Sequence, residues 1–238
     1  MYEPIIKKHE LIFLEESTHT YNLINSKIIF NSVTEFIGTF FEPFHEIEVA
    51  KKLIKMTKYS NKTVEDILDE WKGRRDRGTL VHKQIENFLV NKKETHQIND
   101  QKTKQGIDFL IKRCIKNDNH LFPEVRICSE NLKLAGTIDL LIYNKIKKKF
   151  SIIDWKTNVE IKKTGYKKGI NHPALVIDDC SFNKYSLQLS IYKAILEKEY
   201  NVEVAGLYIA HLKDSSCELI ECRINQSYVK DMLNTRKQ

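Results

Sequence analysis

The segment Leu134–Asn158, LAGTIDLLIYNKIKKKFSIIDWKTN, decides the fold of this chain. It contains two short apolar runs, Leu134–Tyr143 and Phe150–Lys156, which are rich in isoleucine, leucine and aromatic residues. Polar residues bound both runs, a pattern that is typical of β-strands. Because only a short basic connection separates them, the simplest arrangement is an antiparallel hairpin.

The register of this hairpin brings two acids together. If the turn is centred between Ile146 and Lys147 without a bulge, Asp139 lies opposite Asp154. Opposed side chains lie about 5 Å apart at Cβ, and like charges in that position destabilise the pair. Inside an apolar ribbon such acids either shift a pKa or hold a cation, and Mg²⁺ commonly takes one or two carboxylates. Lys156 shares the face of Asp154 and would lie beside the ion.

The alternative is a surface hairpin in which Asp154 and Lys156 form a solvated ion pair, as most aspartates and lysines do. The apolar neighbours of both acids argue against it, because isoleucine, leucine and tryptophan residues flank them. A slip of one residue would separate the acids, so their pairing depends on the register.

The chain has 238 residues, enough for one large domain or two small ones. A hydrophobic share of 41% can build a core, and 30% charged residues favour a soluble protein. The apolar runs are shorter than the roughly 20 residues of a membrane span, and the N-terminus lacks the uninterrupted apolar segment of a signal peptide. We therefore expect an intracellular protein without a membrane partner.

The cysteines indicate the compartment of the protein, and its net charge indicates the class of its partner. The five cysteines are scattered and odd in number, which suits a reducing compartment (the cytoplasm, or an organelle or nucleus of a host) better than a disulfide framework. The formal charge of +7 favours an anionic partner such as nucleic acid. A basic surface that faces only water is a common alternative.

The N-terminal part has two kinds of signal. Short apolar bursts over residues 10–30 predict two or three strands, with a turn at Asn25-Ser26. Ser32 stands three residues before Glu35, a capping-box pattern that predicts the start of a helix, which Pro43 interrupts. Further helices are predicted over His45–Met56, Thr63–Lys72, Lys102–Asn117 and Ser181–Glu199.

The stretch Trp71–Val90 predicts another helix, because its apolar residues recur at helical spacing. His82 and Glu86 form an adjacent stripe four residues apart. Taken alone, His82 is an ordinary histidine at the edge of a core. Three arginines before the stripe face either phosphates or water: Arg74, Arg75 and Arg77.

Five further elements are predicted before and after the hairpin. Leu121–Cys128 predicts a strand in which Glu124 either approaches the acid pair or faces solvent. Residues 94–101 predict a polar loop, and Val159–Asp179 predicts a long mobile loop. The lysines of the second loop either lie beside a phosphodiester site or are solvated: Lys162, Lys163, Lys167 and Lys168. An inner and an edge strand are predicted over Val202–His211 and Cys217–Ile224.

Four short motifs follow one another in the chain: Gly78-Thr79-Leu80-Val81-His82, Gly136-Thr137-Ile138-Asp139, Asp154-Trp155-Lys156-Thr157 and Gln188-x-x-x-Tyr192. Together they resemble the RecB-like branch of the PD-(D/E)XK nuclease superfamily over about residues 73–212. The N-terminal part, including Ser32–Glu35, is similar to that of stand-alone viral, phage and organellar exonucleases of the mitochondrial genome maintenance type.

The resemblance implies an α/β fold, with a restriction-endonuclease-like mixed β-sheet flanked by helices, a helical N-terminal part and a small N-terminal hairpin. Residues 1–72 are then expected to pack on a nuclease core of residues 73–238 as one compact unit. Ile138 stands where the superfamily name has proline, which is usual in this branch.

The resemblance also implies the residues of the site. His82, Asp139, Asp154 and the backbone carbonyl of Trp155 would hold Mg²⁺ or Mn²⁺, and Lys156 would orient or activate the attacking water. Gln188 and Tyr192, which can otherwise be ordinary boundary residues of a helix, would support the site and the DNA strand. Glu86 and Glu124 are accessory candidates. No iron–sulfur cluster is expected, because relatives that carry one have an early cysteine and three late ones, whereas here only Cys217 and Cys222 are close together near the end.

The expected function is that of a divalent-metal-dependent DNA exonuclease acting on single-stranded DNA or duplex ends, in replication, recombination or repair. Its expected partners are DNA and a helicase or recombination protein. Two alternatives stay open: a structure-specific endonuclease, and a non-catalytic DNA-binding module on the same fold. The sequence lacks the phosphate-binding loop motif of an NTPase, which argues against a built-in motor.

Overall fold

A computed structural model describes residues 2–15, 18, 20–91, 99–223 and 226–236 of the chain. Within these residues, eight strands form one sheet. The strands are β1 (Ile12–Glu15), β2 (Thr20–Leu23), β3 (Ile29–Ser32), β4 (Asn119–Ser129), β5 (Leu134–Asn144), β6 (Lys149–Lys156), β7 (Val204–Leu212) and β8 (Cys217–Glu221). The α-helices are α1 (Glu3–Leu11), α2 (Val33–Gly38), α3 (Glu46–Leu53), α4 (Val64–Asn91), α5 (Gln101–Phe109), α6 (Ser181–Glu199) and α7 (Gln226–Asn234).

The sheet is mixed and is organised around β5. The strand order is β1-β2-β3-β5-β6-β7-β8, and β4 pairs with the other edge of β5. The pairs β3–β5 and β6–β7 are parallel, whereas the remaining pairs are antiparallel. β3 pairs with β5 at Leu134 and Ala135, and β6 pairs with it from Leu140 onward. Residues 136–139 of β5 therefore lie between these two neighbours, and Asp139 is at the point where β6 begins to pair.

The predicted register of the central hairpin is confirmed. Leu140 pairs with Ile153, and Tyr143 pairs with Phe150. This is the register in which the next opposed positions are those of Asp139 and Asp154. A slip of one residue would turn every side chain of one strand to the opposite face and would separate the two acids.

Helices cover both faces of the sheet, which makes the fold α/β. Leu141 belongs to a core that β5 shares with α2 and α6, whereas its neighbour Leu140 belongs to a second core shared with α4 and α5. This alternation is the two-residue period of a strand. Trp155, which is 1% exposed, packs edge to face against Phe109 at 6.0 Å between ring centroids and fixes β6 against α5.

Several predicted elements are found with small differences in length. The predicted helix over Ser181–Glu199 is α6 with the same bounds, and Ser32 caps α2 through the predicted capping box with Glu35. The turn at Asn25 is also present, with Asn25 at a φ of 63°. The predicted polar loop over 94–101 lies mostly outside the described residues, as does the end of the edge strand predicted to reach Ile224.

The helix predictions contain two errors, one in dividing a helix and one in omitting a helix. The stretches Thr63–Lys72 and Trp71–Val90 form one helix of 28 residues, α4, rather than two. Asp66 accepts hydrogen bonds from both the backbone and the side chain of Thr63, which starts the helix, and the glycines inside it do not break it. α4 therefore runs through the expected boundary between residues 72 and 73. The other error is an omission, since α1 begins with Pro4 in its first turn and no helix was predicted there.

The segment from Val159 to Asp179 is irregular, but its packing is specific. Ile161, Ala174 and Ile177 are buried in the core shared with α6. The amide of Ile170 donates a hydrogen bond of 2.8 Å to the carbonyl oxygen of Phe40. These contacts fix where the lysines of the segment lie. Among the described helices, none has the length and apolarity needed to cross a bilayer.

Candidate metal centre

Three carboxylates occupy adjacent positions on three neighbouring strands. Glu124 lies on β4 opposite Asp139 on β5, because the pairs on either side of them keep one register. Asp139 stands one residue before Leu140, which pairs with Ile153 of β6. Continuing that register by one residue places Asp154 opposite Asp139. Regular pairing is interrupted at both positions. The sheet thus places an acidic row, Glu124, Asp139 and Asp154, across its centre.

The backbone of Glu124 is strained. Its φ is 50°, in the left-handed region that non-glycine residues adopt at a cost of about 1–2 kcal/mol. In this conformation the side chain of Glu124 lies close to Asp139 and His82. Each of the three residues offers a ligand atom within 4.8 Å of the others. The sequence left the direction of Glu124 open, and the structure places it in the cluster. Nothing in the sequence marks the unusual φ, so residue pattern alone would not have assigned it.

His82 reaches the acidic row from α4. Its Nδ1 lies 3.4 Å from Oδ2 of Asp139. Glu86 lies one turn further along, where it lines a cavity of about 360 Å³ together with His82 and Glu124. The carboxylate of Glu86 is paired with Lys83 at 2.7 Å. Glu86 therefore lies at the rim of the cavity, while His82 lies against the acids.

Asp154 is turned toward Lys156 rather than into the cluster of Glu124 and His82. Its Oδ2 lies 2.5 Å from Lys156 Nζ, and both side chains are largely buried. Within the described part of the chain, this buried oxygen has no hydrogen bond of acceptable geometry. Lys156 Nζ also lies 4.6 Å from the ring centroid of Tyr185. The pair sits beside Asp139, whose Oδ2 accepts a hydrogen bond of 2.8 Å from the backbone amide of Trp155.

Burial and mutual repulsion perturb these groups. Burial, together with the smaller effect of the neighbouring charge of Asp139, raises the pKa of Glu124 to about 8. Burial also raises the pKa of Asp154, although the charge of Lys156 opposes the shift. Burial by itself lowers the pKa of Lys156, but Asp154 and Asp139 outweigh it, so the pKa lies above its ordinary value. Lys156 is therefore a cation and a hydrogen-bond donor, while the acids carry an unfavourable accumulation of negative charge.

The donor set fits a hard divalent cation. Ligands of one Mg²⁺ lie at most about 4.2 Å apart, since each is about 2.1 Å from the ion. The spacing of up to 4.8 Å among His82, Glu124 and Asp139 slightly exceeds that limit, so a bound ion would draw these ligand atoms closer together. A cation would also offset the repulsion that raises the pKa of Glu124. Asp154 lies outside this group of three, and its carboxylate, which is paired with Lys156, is the next acceptor along the row.

Gln188 and Tyr192 connect α6 to the same region. Gln188 Nε2 donates a hydrogen bond of 3.0 Å to the hydroxyl of Tyr192. Burial raises the pKa of Tyr192 well above its ordinary value, and the charges of Asp154 and Asp139 add to the shift. Tyr192 is thus a neutral donor near the acidic row. Its ring lies directly over Gly136, where an added Cβ would be 2.5 Å from a ring carbon.

We expect Gly136→Ala to destabilise the protein by about 1–3 kcal/mol, because the methyl group overlaps the buried ring of Tyr192. Chemical unfolding measures the loss. Gly38→Ala is the matched control, since an added Cβ there meets nothing within 4 Å and a helical alanine is favoured over glycine. Equal stability of the two variants would contradict the close packing of Tyr192 on β5.

Part of the predicted DNA-binding set lies together. Arg74, Arg75, Arg77 and Lys162 line one cleft, which continues from the end of β6. Lys163 is exposed and does not line this cleft. Lys167 is elsewhere, paired with Glu42, and the backbone of Lys168 bridges to Asp178. The structure therefore divides the set, and it adds one cation that the sequence did not single out, Lys102.

No protein-family model matches the chain, and no curated protein matches it at a significant level. The candidate site is therefore argued from its own geometry. The five cysteines are free, and Cys217 and Cys222 lie at either end of β8. The absence of an iron–sulfur cluster stays a prediction.

Proposed function

We propose that this chain is a divalent-metal-dependent DNA exonuclease acting on single strands or duplex ends, with a restriction-endonuclease-like arrangement of its sheet. The observation that carries the proposal is the acidic row across β4, β5 and β6, with a charged lysine and a histidine beside it. A binding module has no need of opposed buried acids, which repel the phosphates that it would bind. The resemblance to RecB-like nucleases rests on the same residues.

The side chains divide the chemistry among them. His82 and Asp139 would hold Mg²⁺ or Mn²⁺, with Glu124 and Asp154 as the further acidic ligands. When bound, such an ion supplies positive charge to a phosphate oxygen and lowers the pKa of a nearby water. Asp154 holds Lys156 in its protonated form, so the ammonium group donates to the attacking water or to the scissile phosphate.

α6 supports this arrangement through Gln188 and Tyr192. Tyr192 lies over Gly136 and receives a hydrogen bond from Gln188, which fixes its hydroxyl near the acids. These residues position the motif on β5. The fixed hydroxyl is neutral and can donate a hydrogen bond to a phosphate oxygen of the DNA strand. Retaining a neutral donor here matters, because another negative charge would oppose phosphate binding.

The deciding experiment compares DNA substrates that differ only in their ends. With Mg²⁺ or Mn²⁺, we expect end-labelled linear single strands and duplexes to be shortened progressively, and circular single-stranded DNA to survive. EDTA is expected to abolish the reaction, and added metal to restore it. Binding of linear DNA in every metal condition without any cleavage would contradict the proposal.

The circular substrate distinguishes an exonuclease from an endonuclease. Cutting of circular DNA, or of branched duplexes at internal positions, would identify a structure-specific endonuclease at the same site. A helicase or recombination protein as partner belongs to this proposal too. It predicts that processing of blunt duplexes is slow when the protein acts alone, and that purified partner accelerates it.

A further inference from the structure

A basic cleft lies next to the candidate metal centre but apart from it. It has a volume of about 590 Å³ and runs between α4 and the residues that follow β6. Five cationic side chains line it, and two acidic ones, Glu160 and Asp214. The cationic residues are Arg74, Arg75, Arg77, Lys102 and Lys162. The cleft is therefore positive on balance.

Lys102 is the unusual member of this set. It is only 8% exposed, and its Nζ donates a hydrogen bond of 2.5 Å to the backbone carbonyl of Thr157. Among the described residues, no carboxylate oxygen lies within ion-pair distance of it. It is also the second residue of α5, where the helix dipole disfavours a positive charge. Burial lowers the pKa of Lys102, and the guanidinium of Arg77 lowers it further.

A buried cation without an anionic partner destabilises a fold unless a ligand compensates it. The backbone carbonyl of Thr157 satisfies one donor of Lys102. Asp214 and Asp100 attract its charge from beyond ion-pair distance, but they do not outweigh burial and the charge of Arg77. The neighbouring Arg77 is held in place by Asp100 at 2.7 Å and Asp214 at 2.8 Å. That guanidinium is therefore fixed in orientation through Nε and Nη2, and its remaining N–H groups are the ones that can donate to an oxyanion.

The cleft lies beside the candidate metal centre, and this position indicates which anion it would bind. Thr157 directly follows Lys156, and its Oγ1 would lie 3.0 Å from a Cβ added at Gly78. Gly78 in turn stands one helical turn from both Arg74 and His82 on α4. The cleft thus begins where the candidate metal centre ends. A strand whose scissile phosphate lies at the centre would bring its next phosphates here.

We propose that this cleft binds a non-scissile phosphate group of the substrate strand, with Lys102 as its buried contact and Arg74, Arg77 and Lys162 around it. The inference rests on the proposed function for the identity of the strand. The phosphate is either an internal one or the terminal 5′-phosphate, since the chemistry of the two is alike.

The test measures binding without cleavage. Fluorescence anisotropy in EDTA follows a 3′-labelled single-stranded oligonucleotide, with a 5′-phosphate or a 5′-hydroxyl, over a series of salt concentrations. The double variant Arg74→Glu/Lys162→Glu changes two exposed cleft residues. Its matched control is Lys147→Glu/Lys148→Glu, which makes the same change in charge at two exposed lysines in the turn between β5 and β6, at the end of the hairpin away from the cleft.

We expect the double variant to bind at least about tenfold more weakly than the parent. Its plot of log affinity against log salt should be less steep by about 0.7 for each phosphate that the variant no longer neutralises. The control should match the parent. An equal loss of affinity with both oligonucleotides identifies an internal phosphate, whereas a loss confined to the phosphorylated one identifies the 5′ terminus. Unchanged affinity and slope in the double variant overturn the inference, as does a parent that binds no DNA.

Lys102 is tested separately, because it also anchors Thr157. Lys102→Met is expected to reduce both affinity and salt slope, and Lys102→Arg to restore part of each. A loss of cleavage at unchanged slope would show that Lys102 only holds the backbone, which contradicts its role here. If the parent binds through the cleft but never cleaves, the nuclease proposal fails while the phosphate site stands.

Discussion

Asp154→Asn is expected to slow DNA degradation by at least about 10²–10³-fold. The amide is nearly isosteric with the carboxylate but carries no charge. It can neither balance Lys156 Nζ, which lies 2.5 Å away, nor contribute a strong ligand to a cation in the acidic row. The reaction should be followed with end-labelled linear DNA under saturating metal, so that the rate of cleavage rather than binding of metal is compared.

Loss of folding has to be separated from loss of chemistry in this variant, because removing one partner of a buried ion pair costs about 3–5 kcal/mol. Circular dichroism and thermal unfolding show whether the variant remains folded. Lys156→Ala, which removes the other partner, is expected to be as inactive. Asp108→Asn is the matched control, since Asp108 of α5 forms an exposed ion pair with Lys112. Parental rates in both Asp154→Asn and Lys156→Ala would reject the site.

Glu124→Gln is expected to stabilise the metal-free protein at alkaline pH and to remove its stabilisation by Mn²⁺. The pKa of Glu124 is raised in the folded state, so the folded protein binds more protons than the unfolded chain as the pH rises from about 4.5 to about 8. Stability is therefore lost across this window. Glutamine is neutral and avoids that loss of stability. Each kcal/mol of stability that the variant retains should raise its Tm above that of the parent by about 2–4 °C.

Mn²⁺ is expected to reverse the order of thermal stability of the parent and Glu124→Gln. A ligand that binds only the folded state raises the free energy of unfolding by RT ln(1 + [L]/Kd), so Mn²⁺ should raise the Tm of the parent and leave Glu124→Gln nearly unchanged. Differential scanning fluorimetry at pH 6 and pH 9, with EDTA or Mn²⁺, measures all four cases. Glu86→Gln serves as control, because Glu86 lines the same cavity but is paired with Lys83. A parental response to Mn²⁺ in Glu124→Gln would exclude Glu124 as a ligand.

The central part of the fold was predictable because its signals are local. The hairpin register follows from a short turn and two apolar strands, and the constant sum of paired residue numbers then places Asp139 and Asp154 next to each other. The helix over Ser181–Glu199 follows from its apolar period. Each of these predictions needs only the order of residues along one or two elements.

The parts that were missed depend on contacts between distant elements. Glu124 joins the cluster because its φ is positive, and that conformation is imposed by neighbours rather than by the residue type. Lys102 appears in the sequence as an ordinary polar residue at the start of a helix, and only the folded chain brings its Nζ to Thr157, 55 residues further on. The sequence divided α4 in two near Lys72, whereas the folded chain keeps one helix and buries Ile67, Val81 and Ile85 along it.

The continuity of α4 restricts how this protein can diverge. Arg74 and His82 stand on one unbroken helix, so each residue inserted or deleted between them would rotate one relative to the other by about 100° and shift it by about 1.5 Å. Substitutions in that interval can be absorbed, but a change in its length would turn either the arginines or the histidine away from the strand. Sequences descended from a common ancestor that keep this chemistry should therefore show no gaps between these two positions.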